Sequence, residues 1–295
     1  MKNQKVILLS FYTKDLVRSS KRLKLQAENL KTYNEINILN EDAIINTQKE
    51  IIELKKIAKV NRGYGYWFWK PLLVLEMLNK LEEGDIVHYL DVGCHLNVNG
   101  IKRFKEYIDI VNNENKGILA FQYNPLLYKK NNDIIYPLRE EFKYTKSDLF
   151  EYFSVFNDQK ITHTPQFWSG SFFIKKNKFS LKFLENWLNT FIYRFDLITD
   201  SASIKNNFNG FIENRHDQSV FSLLCKKNQI KQISAYECDW AYLNNHRTWS
   251  HLEDKPIIAK RDLHYGIFRR FINRKKKSLK KFKLKLIKWR DGRAV

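Results

Sequence analysis

The spacing of apolar residues along the first forty positions changes period once. KVILLSF, residues 5–11, is an almost unbroken apolar run of strand length, whereas residues 16–33 repeat apolar positions every three to four, with Lys and Arg on the other face. This predicts a buried strand followed by an amphipathic helix. A second strand at 36–39 and a polar-rich helix at 41–59 come next, then a helix at 72–81, a turn at Gly84 and a strand at 85–90 that runs into Asp91-Val92-Gly93. Beyond it the pattern gives a helix at 101–112, a strand at 117–123, a helix at 146–156, a strand at 166–175, and helices at 181–193 and 218–227. Strands alternating with helices predict an α/β fold with a mainly parallel sheet.

Composition supports a packed domain. The 295 residues are 43% hydrophobic and 15% aromatic, enough for one large core, which excludes disorder for most of the chain. Charge is uneven: 52 Lys plus Arg face 32 Asp plus Glu, a formal net charge of +20 that calls for an anionic partner. Residues 269–293 hold thirteen of these cations against one acid, Asp291, with Phe282, Ile287 and Trp289 interleaved. The reading is a domain over 1–266 and a basic amphipathic helical tail over 267–295 that meets an anionic membrane surface. A solvated helix and a phosphate-backbone contact stay open for the tail, but the chain has no helix-turn-helix, zinc-finger or aromatic RNA-binding motif, so no specific nucleic acid is expected. Cys94, Cys225 and Cys238 are too few and too scattered for a disulfide framework or a four-thiolate zinc site. No apolar run is long enough for a signal peptide or a membrane span. The expectation is a cytoplasmic protein, peripheral at the inner membrane.

Candidate chemistry concentrates at DIVHYLDVGCHLN, residues 85–97, because α/β sheets place ligands at the carboxyl ends of their strands. Two enzyme classes compete. For an S-adenosylmethionine-dependent methyltransferase, LDVGCH would stand for the glycine-rich loop, although His95 and Asn97 fill positions where small residues are wanted. For a glycosyltransferase, Asp91, with Gly93 beside it, would meet the donor ribose or a diphosphate-bound Mg²⁺ or Mn²⁺. The second carboxylate of an Asp-x-Asp motif is absent, which leaves His95, His264 or nothing to complete a metal site. A strand-ending aspartate that only caps a turn is the third reading.

Other segments carry paired readings too. In RGYGYWFWKP, residues 62–71, aromatic faces such as Tyr66 can stack on a base or sugar and Arg62 or Lys70 can neutralise a diphosphate, or else Trp67 to Trp69 are core and Pro71 starts a helix. In RHDQS, Asp217 can cap the following helix, or orient an acceptor hydroxyl and take its proton, with Gln218 stabilising developing positive charge. Lys146 in TKSDLF offers a phosphate contact inside a helix-start pattern. Trp168, before Ser169-Gly170, suits a sugar platform.

Taken together, residues 62–71, 84–97, 145–150 and 215–224 resemble bacterial glycosyltransferases of polysaccharide and lipopolysaccharide gene clusters, over about residues 6 to 224. The resemblance implies a GT-A-like fold, a nucleotide-sugar donor and transfer onto a growing glycan; the reading is that a hexose or related sugar moves to a lipid-linked, lipopolysaccharide or capsule glycan. It implies a donor side formed by Arg62, Tyr66, Lys70, Asp91, Gly93 and Lys146, with Trp168 on the acceptor side. His216, Asp217 and Gln218 are similar to the acceptor-side loop of retaining lipopolysaccharide galactosyltransferases, which implies retention of configuration with Asp217 and Gln218 at the reacting centre. His264 lies where similar enzymes close a metal site with histidine. His95 departs from the pattern, which has an acidic or small residue there.

Overall fold

Eleven strands lie among the residues described by the computed structural model, which are 4–45, 62–127 and 133–260. They are β1 (Val6–Phe11), β2 (Glu35–Leu39), β3 (Ile86–Leu90), β4 (His95–Leu96), β5 (Ile118–Gln122), β6 (Ile134–Ile135), β7 (Phe167–Lys175), β8 (Lys231–Ser234), β9 (Ala241–Leu243), β10 (His246–Thr248) and β11 (Ile257–Ile258). Six form the central sheet in the order β2-β1-β3-β7-β5-β8. β2, β1 and β3 pair in parallel, as do β5 and β8, while β7 runs antiparallel to both β3 and β5. The mainly parallel α/β sheet read from the sequence is present. The reversal of β7 was not expected, because eight of its nine residues are buried, and a run apolar on both faces carries no sign of direction.

Strand alternation divides the core in two. Leu9, Val87, Tyr89, Ala120 and Phe172 face α2 (Trp69–Lys80), α4 (Lys178–Tyr193) and α5 (Asp217–Lys227). Leu8, Ile86, Leu90, Phe121 and Phe173 face α1 (Val17–Leu30) and α3 (Ile101–Asn113). The result is a sheet covered on both sides, which is what near-continuous apolar strands require.

Several bounds differ from the sequence reading. α2 begins at Trp69 rather than at 72, with Pro71 still inside the first turn, where its missing N–H breaks no bond. The helix expected over 146–156 is the short Ser147–Tyr152, preceded by Lys146 rather than capped by Thr145, whose hydroxyl donates to Glu141 instead (2.7 Å). β8, the hairpin β9–β10 with β6, and the pair β4–β11 are too short to announce themselves in a hydropathy pattern. Of the helix expected over 41–59, Asp42–Ile45 is helical and 46–61 lie outside the described residues. His264, the boundary at 266 and the tail at 267–295 also lie outside them.

Because β7 is reversed, its beginning joins the carboxyl ends of the other five strands along one edge of the sheet. Asp91, Tyr123, Ser169 and Ser234 all fall on that edge.

Candidate active site

β3 is buried over its whole length and delivers Asp91 at its end. The Asp91 backbone N–H donates to Gly170 O on β7 (2.8 Å), and Asp91 O accepts from Cys94 N (2.8 Å), which fixes the turn through Val92-Gly93. Arg22 of α1 donates to Val92 O (3.0 Å) and Cys94 O (2.8 Å), so the carbonyls of this turn are already covered. Tyr89, two residues back and therefore on the same face, donates its hydroxyl to Asp91 Oδ1 (2.7 Å).

The same carboxylate oxygen lies 3.4 Å from Lys70 Nζ. Lys70 enters from the first turn of α2 with its side chain 2% exposed, and its ammonium donates to Asp217 Oδ2 (2.8 Å), Ser169 O (3.2 Å) and Ser169 Oγ (3.3 Å). Ser169 Oγ in turn donates to Asp217 Oδ2 (2.7 Å). Burial alone would pull the Lys70 ammonium down, but Asp217 and then Asp91 outweigh it, and the net displacement is upward. One buried cation therefore sits between two carboxylates. Asp217 is enclosed (7% exposed) and Asp91 open (38%), so the surplus negative charge faces outward through Asp91.

Asp217 occupies the first turn of α5 without acting as its cap, a position held by His216. Four consecutive residues here splay apart. Arg215 packs its guanidinium 3.8 Å from the centre of the Tyr144 ring. His216 places Nδ1 2.6 Å from Ile198 O and its ring against Tyr66 (4.8 Å) and Trp67 (5.5 Å). Asp217 turns to Lys70, and Gln218 donates to Gln166 Oε1 (2.6 Å). The branching is bought with strain: His216 adopts φ 53°, ψ −116°, a region that non-glycine residues avoid. Burial pushes its imidazole pKa down, which favours the neutral ring.

The aromatic segment opposite is strained as well. Gly63, Tyr64, Gly65, Tyr66 and Trp67 all have positive φ, from 53° to 83°, and Trp67 N donates to Gly63 O (3.2 Å), closing one left-handed turn. Each non-glycine residue in such a turn costs roughly 1–2 kcal/mol. A Cβ on Gly63 would lie 2.5 Å from the Trp67 indole, so glycine is required there for space as well as for φ. Arg62 stays at the surface, 3.5 Å from Asp200.

The remaining expected site residues lie apart from this cluster. Lys146 is buried and donates to Asp196 O and Ser201 Oγ (3.2 Å each), and burial lowers its pKa. Trp168 is buried on the face of β7 opposite Ser169, its indole filling the space that a Cβ on Gly170 would need. His95 is on β4, its Nδ1 3.3 Å from Gln26; burial, then the charge of Arg22, hold its pKa down at about 4. Among the described residues no three His, Cys, Asp or Glu side chains converge as a metal site would need. The expected Asp91–His95 ligand set is therefore not assembled by the described residues: His95 is paired through Gln26, beside a cation, while Asp91 is paired with Lys70 and Tyr89.

Sequence reasoning passed over Tyr89 as a partner of Asp91, although its spacing of two before a strand-end aspartate signals a shared face. It also passed over the network behind Gln218. Gln166 donates to Glu141 Oε1 (2.9 Å), and the fully buried Glu141 pairs with Lys226 (2.8 Å) and accepts from Ser222. This network ties the start of β7 to α5.

No protein-family model and no curated protein matches the chain. Solved structures similar to it include a glycosyltransferase involved in glycosylation of the major capsid of PBCV-1, at 11% identity and a TM-score of 0.44, covering 90% of this chain and 96% of that one. Mouse xyloside xylosyltransferase 1 is similar at 12% identity and a TM-score of 0.44, covering 79% of this chain and 86% of that one. The glycosyltransferase GlyE of Streptococcus pneumoniae TIGR4 is similar at 10% identity and a TM-score of 0.39; 79% of this chain matches 46% of that one.

Proposed function

We propose that this chain is a GT-A-like glycosyltransferase that moves a sugar from a nucleoside-diphosphate donor to a hydroxyl of a glycan acceptor. The observation that carries the reading is the Asp91–Lys70–Asp217 cluster: a buried ammonium held between an open and an enclosed carboxylate, at the sheet edge where α/β folds bind ligands. Asp91, the open member, is suited to accept hydrogen bonds from the donor ribose. In the reaction the bond from the sugar C1 to the diphosphate breaks with its electron pair going to the diphosphate, and the acceptor oxygen bonds to C1 as it gives up its proton. Lys70 supplies fixed positive charge toward the departing diphosphate, and Asp217 and Gln218 line the reacting centre, Asp217 as the carboxylate that orients the acceptor hydroxyl. Retention of configuration, which rests on the 216–218 resemblance, and a hexose as the moving sugar are the finer parts of the reading. Mg²⁺ or Mn²⁺ bound by the diphosphate would meet the open carboxylate of Asp91 and would supply further positive charge to the departing group.

Arg62 and Tyr66 belong to the donor side in this reading, and His216 to the acceptor side. Lys146 belongs to the donor side and Trp168 to the acceptor side in this reading, and both side chains are buried. A methyltransferase is not favoured, because the turn after β3 has the single Gly93 and Arg22 covers its carbonyls. The acceptor is proposed to be a lipid-linked lipopolysaccharide or capsule glycan, reached at the inner membrane by the basic tail over 267–295, which follows a catalytic domain over 1–266. No helix among the described residues is long and apolar enough to cross a membrane.

The test is calorimetric titration of the full chain with UDP, GDP, CDP, ADP and S-adenosylmethionine, each with and without Mn²⁺. Binding of one nucleoside diphosphate that is lost in Asp91→Ala supports the reading, and binding of S-adenosylmethionine alone overturns it.

A further inference from the structure

Next to the Asp91–Lys70–Asp217 cluster, the same sheet edge carries a second group of charges that the glycosyl-transfer reading leaves unused. Arg139 pairs with Asp239 Oδ2 (2.9 Å), with its guanidinium 4.0 Å from the centre of the Tyr123 ring and 5.1 Å from that of Trp240. Tyr123 OH also donates to Asp239 Oδ2 (3.2 Å), so this carboxylate is fully engaged. Arg215 comes in beside them, over Tyr144. Among the described residues no carboxylate lies within hydrogen-bonding distance of its guanidinium: Glu213 Oε1 is 4.0 Å from Nε, and the side chain is 24% exposed. Arg247 stacks over the outer part of the group, 4.2 Å from the Trp240 ring centre. Three guanidinium groups thus share one engaged aspartate and one distant glutamate.

Five N–H donors in a planar fork are matched by a carboxylate or phosphate. Burial holds the Arg215 pKa below the ordinary arginine range; Tyr123 offsets part of this, and Arg139 adds a smaller repulsion. A guanidinium so placed is stabilised by an arriving oxyanion. Tyr123 follows β5 and Asp91 follows β3, and these strands are separated only by β7, which puts the two groups two strand spacings, roughly 10 Å, apart. That is roughly the width of one or two sugar rings.

The geometry points to an acidic saccharide as the acceptor: its carboxylate or phosphate docks on Arg215, backed by Arg139, while a neighbouring hydroxyl reaches Asp217. This inference rests on the glycosyl-transfer reading and names the acceptor class for it. It assigns Arg215 to substrate charge recognition, with Arg139 as the residue that positions it.

Saturation-transfer NMR titrations of the full chain with methyl glucuronide, glucose 6-phosphate and methyl glucoside, together with UDP and GDP, test it. We expect at least one acidic sugar to bind about tenfold more tightly than the neutral one, as a charged hydrogen bond implies, and the advantage to shrink in 0.5 M NaCl. The carboxylate and phosphate arms identify the anion. Arg215→Gln should abolish the advantage while nucleotide affinity stays within twofold. Equal affinity for acidic and neutral sugars in the unsubstituted protein, with a nucleotide still bound, overturns this inference alone. Loss of both sugar and nucleotide binding overturns the transferase reading with it. A drop in nucleotide affinity in Arg215→Gln would assign the guanidinium to the donor diphosphate and overturn the acceptor assignment. If Arg215→Gln does not fold, the acid-to-neutral ratio of the unsubstituted protein and its salt dependence decide.

Discussion

Replacing Lys70 by Met keeps the volume of the side chain and removes its charge, which isolates the electrostatic role of the buried ammonium. With Lys70 gone, the Asp217 carboxylate keeps one partner, Ser169 Oγ at 2.7 Å, and is otherwise enclosed. Removing one partner of a buried pair costs about 3–5 kcal/mol because the other charge is left uncompensated. With a urea m-value of about 3 kcal/mol/M, such a loss lowers the denaturation midpoint by roughly 1–1.7 M. The double variant Lys70→Met, Asp217→Asn removes both charges and should recover all but about 1 kcal/mol of the loss, since a buried pair and its neutral replacement are similar in stability. The pH dependence has a definite sign. Lys70 has a raised pKa in the folded protein, so its contribution is complete below the ordinary lysine value of about 10.4 and is lost as pH rises through the higher folded value. The alkaline fall in stability should be smaller in Lys70→Met than in the unsubstituted protein. Urea titrations at pH 7 and across pH 9–11.5 measure both effects. A midpoint shift below about 0.3 M, or a double variant no more stable than the single, would refute the account of Lys70 as a buried, coupled charge.

Asp91→Ala should abolish nucleotide binding in calorimetry yet change thermal stability by about 1 kcal/mol or less, because the carboxylate is more than a third exposed. Gly170→Ala should destabilise by about 1–3 kcal/mol, read as a fall in the urea midpoint, since its Cβ would lie 2.3 Å from the Trp168 indole. His88 is fully buried, stacked 4.0 Å from Phe173, and burial lowers its pKa to about 3. Its folded pKa is depressed, so the unfolded chain takes up the proton first, and stability should fall as pH drops from about 6.5 toward 3; in His88→Gln this acid-side fall should be smaller, as urea midpoints would record.

The sequence carried the layered α/β plan because strand and helix periods are local properties. Asp91 at a strand end could be read for the same reason. The reversed β7 could not, since FWSGSFFIK is apolar on both faces and its two serines fall on opposite ones, Ser169 toward Lys70 and Ser171 toward His88. For Asp217 the pattern offered a helix cap, and the observed partner, Lys70, is 147 positions away, a separation no local pattern encodes. Gly63 and Gly65 hinted at an unusual backbone, but a left-handed turn that also includes Tyr64, Tyr66 and Trp67 depends on its packing against His216. Arg139 and Arg215 belong to separate segments of the chain, and only the fold places them together.

The reversal of β7 also has a consequence for how the chain comes together during synthesis. β2, β1 and β3 can pair as soon as residue 90 is made, whereas β5 touches that group only through β7, which is complete at Lys175, and gains its other neighbour, β8, later still. The β3 edge that β7 will join is left open for 85 residues of synthesis and the β5 edge for 53, the state in which strands most readily pair wrongly. Ser169 and Gly170, which hold Lys70 and Asp91, lie on this last-fitted central strand. The ligand-facing cluster therefore cannot form on a half-built sheet, and a chain stalled before residue 170 exposes raw strand edges without any trace of a site.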